Sequence, residues 1–235
     1  MKKLVAICLA MFMFGVNSAK ADLMSVVEDN FNSYINGSII GQDGWESYVN
    51  GSNFIVQEST VFEGIKALYC SALSDNVVGK QGYLLADGRQ TVYIKTENRD
   101  DWNLSLSGNV QIRMTQGLWG QPYFYVSLYQ NGTVGLNGNV FDIYDDNEWT
   151  LLEMEWTSSN KTARTRINNG TWSDCGLATT FAGFDYVGFD YDNRGGGGGG
   201  VYFDALGANS IPEPSTLALL FTGLITGGLF FLRRK

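Results

Sequence analysis

The sequence predicts an all-β protein whose body is a sandwich of two antiparallel sheets. Three observations favour this fold class. Apolar side chains recur with a period of two in several segments, as in residues 123–129. Turn-forming Gly, Asn and Ser residues separate about ten such segments at short intervals. No long stretch between residues 22 and 210 repeats apolar residues at helical spacing.

Turn signals define the individual strands and hairpins. Asn131-Gly132 and Asn169-Gly170 each lie between two strand-like segments, and Ala86-Asp87-Gly88 does the same. Asn-Gly is the pair that tight hairpin turns prefer, because both central residues adopt positive φ. Further strands are expected at 54–58, 65–71, 109–115, 140–144, 149–157, 184–190 and 201–207.

The first 21 residues have the form of a secretory signal peptide. Lys2 and Lys3 precede an apolar stretch at 4–16, and Ala19-Lys20-Ala21 provides small residues for cleavage after Ala21. We therefore expect export through the secretion translocon and removal of residues 1–21 by signal peptidase.

The last 25 residues predict a sorting signal or a membrane anchor. Pro212-Glu213-Pro214 leads into the uncharged stretch 215–232, and the chain ends on Arg233-Arg234-Lys235. As a helix, this stretch would reach roughly 27 Å, close to the thickness of a bilayer core. The basic end should stay cytoplasmic, which places the preceding residues across the inner membrane.

This order of Pro-Glu-Pro, short apolar helix and basic terminus resembles the PEP-CTERM sorting signal over residues 211–235. The resemblance implies that Pro212, Glu213, Pro214, Arg233 and Arg234 are read by an exosortase of an exopolysaccharide-producing Gram-negative bacterium. It also implies cleavage near Pro-Glu-Pro, after which the transiently anchored protein reaches the cell surface or extracellular matrix. The alternative is an ordinary single-span anchor whose prolines end the chain before a helix.

The predicted domain between the two ends, residues 22–210, is strongly acidic. It carries 23 acidic and 10 basic side chains, so its net charge is −13, against −8 for the whole chain. Such a surface repels nucleic acid and anionic lipid. We therefore exclude nucleic acid as a partner.

The segment 147–156, led by Asn147-Glu148-Trp149, resembles a strand of the concanavalin A-like or laminin-G-like jelly roll. In those folds a Trp-led strand precedes a hairpin, and the last strand lies beside the beginning of the chain. The closing segment 201–206 and the opening segment 28–32 fit these two places. The resemblance implies a jelly-roll sandwich but no particular activity.

Paired carboxylates are the catalytic candidates that the sequence leaves. The chain has no histidine, which excludes Ser-His-Asp and Cys-His catalysis, and it lacks ligands for zinc. Glu153 and Glu155 alternate onto one strand face and resemble part of the Glu-x-Asp-x-x-Glu strand of laminarinase-type glycoside hydrolases. Met154 and Ser158 leave that set incomplete. We expect two solvated glutamates and no catalysis; the alternative is a glycan-cleaving hydrolase that uses this pair.

Loop carboxylates are candidates for a structural calcium ion, the one cofactor that we consider. Jelly-roll carbohydrate-binding modules often hold calcium where the first and last strands meet, which by resemblance implies Asp29 and Asp204 as ligands. Asp43 is a further candidate, since carboxylates in loops suit this hard cation.

An aromatic face is the candidate ligand-binding surface. Trp119, Tyr123, Tyr125 and Tyr129 can present flat rings on which sugar rings stack. The alternative is that these rings belong to the core, as most aromatic residues of a sandwich do.

Two cysteines, Cys70 and Cys175, remain after signal cleavage. In an oxidising compartment they either form a disulfide or stay as separate buried thiols.

Taken together, these features predict a secreted or surface-targeted, non-catalytic β-sandwich that binds polysaccharide or acts structurally in the extracellular matrix or biofilm. Its expected partners are the export machinery, an exosortase and exopolysaccharide.

Overall fold

The body of the protein consists of two antiparallel sheets. A computed structural model describes residues 23–71, 74–101, 109–117, 120, 124–194 and 198–207. The described strands are β1 (Gly37–Ser38), β2 (Trp45–Val49), β3 (Ile55–Gln57), β4 (Ala67–Cys70), β5 (Asp75–Leu85), β6 (Asp87–Glu97), β7 (Asn109–Thr115), β8 (Phe124–Tyr129), β9 (Thr133–Leu136), β10 (Asn139–Ile143), β11 (Trp149–Thr157), β12 (Thr162–Ile167), β13 (Ser173–Gly176), β14 (Phe184–Asp192) and β15 (Gly200–Asp204). The predicted all-β sandwich is confirmed.

Helix is almost absent from this part of the chain. The described helical segments are two 3-10 turns of three residues each, Gly51–Asn53 and Arg99–Asp101. Within the described ranges, no helix has the length and apolar character that crossing a membrane requires. The predicted transmembrane helix lies outside these ranges.

One sheet has eight strands, in the order β1-β3-β4-β15-β6-β11-β12-β13. The other has seven, in the order β10-β9-β8-β7-β14-β5-β2. Strands from the beginning and the end of the chain lie side by side in both sheets, so most pairings join residues far apart in sequence. The consecutive strands β5 and β6 belong to different sheets and do not pair with each other, so the chain crosses from one sheet to the other between them.

The period of two decides which side chains enter the core. In β7, Val110, Ile112 and Met114 are fully buried between the sheets, while Gln111 and Arg113 point outward. The same alternation holds along β8 and β11, so each sheet has an apolar inner face and a mixed outer face.

Aromatic rings join the two sheets at the centre of the core. Trp45 stacks on Phe189 with ring centroids 5.5 Å apart, and Phe189 stacks on Phe203 at 4.2 Å. Phe203 in turn contacts Phe54 at 6.1 Å. Because Phe189 belongs to the seven-stranded sheet and Phe203 to the eight-stranded sheet, this aromatic stack spans both layers. Burial of each ring contributes about 1.5–3 kcal/mol.

The beginning and end of the described chain meet, as the jelly-roll resemblance implied. The Asp29 amide donates to the Leu206 carbonyl at 2.8 Å, and the Leu206 amide donates to the Asp29 carbonyl at the same distance. The contact is an isolated bridge and not a full strand pair. We call this contact the seam.

Two of the three predicted hairpins are present. The third, at Ala86-Asp87-Gly88, is wrong, because β5 and β6 on its two sides belong to different sheets. Gly132, with φ 83°, lies in the turn between β8 and β9, and Asn168 and Asn169 adopt φ 46° and 59° after β12. The left-handed conformation is costly for most residues, but Asn and Gly tolerate it. The strand at Trp45–Val49 was not predicted, because its Glu and Ser residues interrupt a simple apolar alternation.

The disulfide hypothesis is wrong, because Cys70 and Cys175 are not bonded to each other. Cys70 lies in β4 and Cys175 in β13, five strand spacings apart in the eight-stranded sheet. Neighbouring strands are about 4.8 Å apart, whereas a disulfide needs Cα atoms within about 7 Å. Cys70 packs in the core. Cys175 is half-buried, and burial raises the pKa of its thiol to about 11.

We predict that a reducing agent leaves the melting temperature of the body unchanged, because no cross-link exists to be cut. Thiol titration after unfolding should find two reactive groups per body, Cys70 and Cys175, under oxidising purification. A lower melting temperature in reductant, or fewer than two thiols, would contradict this arrangement.

Candidate functional site

The outer face of the seven-stranded sheet carries a polar slot between two tyrosine rings. Tyr125 and Tyr129 lie near the two ends of β8, and Ser127 lies midway between them on the same face. Four residues of strand separate the tyrosines by about 13 Å. The name tyrosine-flanked slot is used below for Gln111, Arg113, Tyr125, Ser127, Tyr129 and Asp190.

Strand register brings the polar members of the slot together. Ser127 of β8 lies opposite Gln111 of β7, which lies opposite Asp190 of β14. The Arg113 guanidinium forms an ion pair with the Asp190 carboxylate, and its Nε donates to Gln111 Oε1 at 2.9 Å. Hydroxyl, amide, carboxylate and guanidinium groups therefore face one side of the sheet.

Two polar atoms of the slot are buried without a hydrogen-bond partner. Ser127 is 0% exposed and Asp190 is 5% exposed, yet Ser127 Oγ and Asp190 Oδ1 have no partner among the described residues. A buried polar group left unsatisfied costs about 1–3 kcal/mol. Such groups are rare in proteins. Ser127 and Asp190 are two strand spacings apart, so each atom would need its own partner.

Burial also changes the protonation of Asp190. It raises the pKa of the carboxyl to about 7, while Arg113 opposes this shift. Asp75 and Asp192 raise the pKa further, and Arg194 lowers it. The carboxyl therefore titrates near neutral pH, and in its protonated form it can donate a hydrogen bond.

A glycine allows the Tyr129 ring to lie flat on the sheet. A Cβ atom on Gly135 would come within 2.8 Å of a Tyr129 ring carbon, so only glycine leaves room beneath the ring. The ring is half-buried and lies close against the backbone of Gly135.

The structure thus places two members of the predicted aromatic face, Tyr125 and Tyr129, on one outer surface. The other two, Trp119 and Tyr123, lie outside the described residues. So do the processing residues that the sequence predicted: Ala21, Pro212, Glu213, Pro214, Arg233 and Arg234.

The predicted calcium ligands Asp29 and Asp43 come together around a lysine. Lys80 Nζ lies 3.1 Å from Asp29 Oδ2 and 2.6 Å from Asp43 Oδ2, and 3.1 Å from the Tyr34 hydroxyl. The ammonium group thus lies within hydrogen-bond distance of both carboxylates. The pocket beside it, about 330 Å³, is lined by Glu28, Asp29, Asn30, Ser33, Tyr34, Asp43 and Leu206.

Asp204, the third predicted ligand, has different partners. Its Oδ2 accepts hydrogen bonds from the amides of Phe62 and Glu63 at 2.8 and 2.9 Å, and its Oδ1 accepts from the Ala205 amide at 2.7 Å. Burial raises the pKa of this carboxyl, and the three amides oppose the shift. Asp204 therefore fixes the loop at residues 58–66. Within the described ranges, no three acidic, His or Cys side chains are grouped to hold a metal ion.

The expectation that Glu153 and Glu155 are solvated is wrong. Glu153 is 0% exposed and Glu155 is 9% exposed, and both are enclosed by arginines. Arg89 and Arg166 form ion pairs with Glu153. The name arginine-glutamate cluster is used below for Arg89, Glu153, Glu155, Arg164, Arg166 and Trp172.

Hairpin register explains this cluster. Glu153 lies opposite Arg166 and Glu155 opposite Arg164 in the β11–β12 pair. Arg164 Nε and Nη2 both donate to Glu155 Oε2, at 2.8 and 2.5 Å. Trp172 lies against both guanidinium groups, whose Cζ atoms are 4.4 and 4.5 Å from its ring centroid.

The cluster does not have the arrangement that glycoside hydrolysis requires. A retaining or inverting pair needs one carboxyl to donate a proton and the other to attack or to activate water. Here guanidinium groups donate to oxygens of both carboxylates, so the oxygens that the reaction would need are already occupied.

Comparisons with known proteins confirm the two resemblances. Residues 210–235 match the PEP-CTERM protein-sorting motif. This match indicates export and C-terminal sorting to the cell surface. No curated protein is significantly similar to the chain in sequence.

Solved structures with the same architecture are jelly-roll β-sandwiches. A sialidase aligns with 77% of this chain at 11% identity and a TM-score of 0.59, but the chain spans only 18% of the sialidase. A GH16 protein of the Bacteroides ovatus mixed-linkage glucan PUL, in complex with a G4G4G3G product, aligns with 77% of this chain and 98% of its own length, at 10% identity and a TM-score of 0.53. At these identities the likeness shows the fold alone.

We predict that Glu153→Ala lowers the free energy of unfolding by about 3–5 kcal/mol, because it leaves Arg89 and Arg166 without their buried partner. Glu155→Ala is the matched control. Its partner Arg164 is 38% exposed, so water can replace the lost carboxylate and the loss should be smaller. Urea unfolding measures both, and equal losses would contradict the difference in burial.

A second prediction concerns pH. The folded Asp190 carboxyl holds its proton up to about pH 7, whereas the unfolded one loses it near pH 4. The protonated Asp190 carboxyl therefore stabilises the folded state fully below pH 4, and this stabilisation is lost as the pH rises to 7. The Asn side chain of Asp190→Asn cannot ionise. As the pH rises from 4 to 7, the free energy of unfolding of this variant should therefore increase by about 2–4 kcal/mol relative to that of wild type.

Urea unfolding at intervals between pH 4 and 8 measures this difference. Arg113→Gln is the control, because it removes the charge that lowers the Asp190 pKa. In this variant the loss of stability that accompanies ionisation of Asp190 should occur at higher pH. A difference between Asp190→Asn and wild type that stays constant with pH would contradict the raised pKa.

Proposed function

We propose that this protein is exported, sorted through its C-terminal motif, and binds polysaccharide at the cell surface or in the extracellular matrix without cleaving it. The tyrosine-flanked slot is the proposed binding surface. The sorting motif supports the location, and the slot supports the activity.

The observation that carries the proposal is the pair of unsatisfied polar atoms on this face, Ser127 Oγ midway between the two tyrosines and Asp190 Oδ1 two strands away. Ser127 Oγ and Asp190 Oδ1 are buried acceptors or donors without a partner. Sugars combine hydroxyl groups with apolar ring faces. A sugar chain lying on this face would offer separate hydroxyl groups to these two atoms after small shifts of the side chains that cover them, and its ring faces would stack on Tyr125 and Tyr129.

The absence of catalysis is part of the proposal. Neither glutamate of the arginine-glutamate cluster is free to act on a glycan, because arginines occupy the oxygens that the reaction needs. The GH16 protein with its glucan product shares the fold with this chain, and the fold by itself carries no activity.

Processing completes the proposal. Signal peptidase would cut after Ala21, and an exosortase would recognise Pro212-Glu213-Pro214 and the basic terminus and release the acidic body from its membrane helix. Calcium at the pocket beside Lys80 remains a proposal as well, and the experiment below includes it.

The test is a glycan array probed with residues 22–210, with and without calcium. This part of the chain contains the whole described core, which runs from Val26 to Leu206. We expect binding to at least one polysaccharide class. Tyr129→Ala should weaken it about 3- to 10-fold, because a stacking ring contributes ~0.5–1.5 kcal/mol.

Tyr83→Ala is the matched control. Tyr83 is 74% exposed in β5 and is not part of the slot, so its removal should leave binding unchanged. Failure to bind any glycan in either condition would refute the binding role and leave a structural role in the matrix. Hydrolysis of a bound glycan would refute the non-catalytic role.

A further inference from the structure

Both ends of the described chain leave the domain at the same end of the sandwich. Strand β15 runs antiparallel to β6, and beyond it the Gly207 amide donates to the Thr91 carbonyl at 2.8 Å. The Ser25 hydroxyl donates to the Gly207 carbonyl at 3.0 Å. The Arg89 amide donates to the Met24 carbonyl at 3.0 Å. The chain therefore enters and leaves the domain beside the beginning of β6, where the connection from β5 arrives.

This end of the sandwich is nearly free of charge. Strand register places three connections here, those from β5 to β6, from β11 to β12 and from β13 to β14. With their flanking residues they are 82–86, 157–161 and 177–183. Lys161 is the one charged residue in these ranges, and its ammonium donates to the Phe181 carbonyl at 2.6 Å. The nearby carboxylates of Asp87 and Asp185 each accept a hydrogen bond from a backbone amide. The name charge-poor end is used below for Met24 and these three ranges.

The opposite end of the sandwich is acidic. Residues 98–101 follow β6 there, and residues 145–148 precede β11. These two ranges contain five carboxylates and one arginine. The name acidic end is used below for them. The negative charge of the body is thus unevenly distributed along the strands, and the charge-poor end can approach a bilayer with little repulsion and little desolvation of charged groups.

Three large apolar side chains are exposed at the charge-poor end. Met24 is 62% exposed, Tyr83 is 74% exposed and Leu84 is 56% exposed. They lie near one another because the Tyr83 amide donates to the carbonyl of Val26, two residues after Met24, at 3.2 Å. Tyrosine is enriched where proteins meet the membrane–water interface, since its ring is apolar and its hydroxyl is polar. The name apolar patch is used below for Met24, Tyr83 and Leu84.

The sequence limits the distance between this end and a membrane. Residues 208–214 separate Gly207 from the uncharged stretch 215–232. Fully extended, this connection reaches about 26–29 Å. Strand β15 runs towards the charge-poor end, and Gly207 lies about 13 Å short of the start of β6. The charge-poor end would therefore stay within about 15 Å of the segment that enters the bilayer.

We propose that the charge-poor end faces the membrane while the tail, residues 208–235, is anchored, and that the apolar patch rests in the interface of the bilayer. The inference relies on the anchored intermediate of the proposed function and is independent of the tyrosine-flanked slot. Burial of apolar surface stabilises the contact. The patch is small, but a short tether holds it at an effective concentration of about millimolar, so a weak contact is sufficient. Cleavage of the tail would end the contact and release the body.

The test determines which end of the domain touches vesicles of phosphatidylcholine that hold residues 22–235 by their tail. A polarity-sensitive fluorophore is attached to Ala86→Cys, which lies at the charge-poor end and leaves the apolar patch intact. The same label on Ile143→Cys is the matched control, because Ile143 is 72% exposed and lies two residues before the range 145–148 of the acidic end. Both proteins carry Cys175→Ser, and Cys70 is buried in the core.

We expect the label on Ala86→Cys to emit at a shorter wavelength in the vesicles, to be quenched by brominated acyl chains, and to be shielded from iodide in the water. The label on Ile143→Cys should stay accessible to iodide and unaffected by brominated lipid. Adding Tyr83→Ser together with Leu84→Ser should return the Ala86→Cys label to water. Residues 22–210, which lack the tail, should show no change at either position.

Flotation of the vesicles separates two kinds of failure. If residues 22–235 do not float with the vesicles, the anchoring step of the proposed function fails, and this inference fails with it. If they float but the Ala86→Cys label stays as accessible to iodide as the Ile143→Cys label, this inference alone is overturned. It is also overturned if both labels are shielded alike, or if Tyr83→Ser with Leu84→Ser leaves the Ala86→Cys signal unchanged.

Discussion

The aromatic stack of Trp45, Phe189, Phe203 and Phe54 is the interaction on which the rest of the structure depends. It joins β14 of one sheet to β15 of the other. Once these rings face inward, the period of two along each strand decides the direction of every neighbouring side chain. The polar slot is therefore a consequence of how the core is filled.

Positive charge is scarce in this body, and the fold uses it sparingly. Lys80 joins two carboxylates near the seam, and Arg89, Arg164 and Arg166 allow two glutamates to be buried on the outer face of a sheet. A buried carboxylate without such partners would carry a large desolvation cost. The cations thus allow an acidic chain to bury some of its carboxylates, and the rest of its negative charge stays on the surface.

Much of the fold could be predicted because the alternation of apolar residues is a local signal. The predicted strands 109–115 and 149–157 coincide with β7 and β11. Alternation also placed Glu153 and Glu155 on one face. Their ion pairs with Arg164 and Arg166 could have been predicted too, because a short turn between β11 and β12 sets the two pairs opposite each other.

Other features depend on long-range pairing and could not be read from the sequence. Arg89 reaches Glu153 from β6, and Lys80 meets Asp29 from a strand 51 residues along the chain. Asp204 was expected at the seam with Asp29, but it turns towards the Phe62 loop because three amides there offer hydrogen bonds. No local pattern indicates which of two nearby partners a buried carboxylate will choose.

The position of β15 has a mechanical consequence. This last described strand is the fourth of eight in its sheet, hydrogen-bonded on one side to β4 and on the other to β6. A pull applied from the C-terminal side would enter the domain at the middle of the sheet and act along the strand, so both rows of hydrogen bonds would share the load in shear. Such a load would not peel an edge strand from the sheet, because β15 has a hydrogen-bonded neighbour on each side.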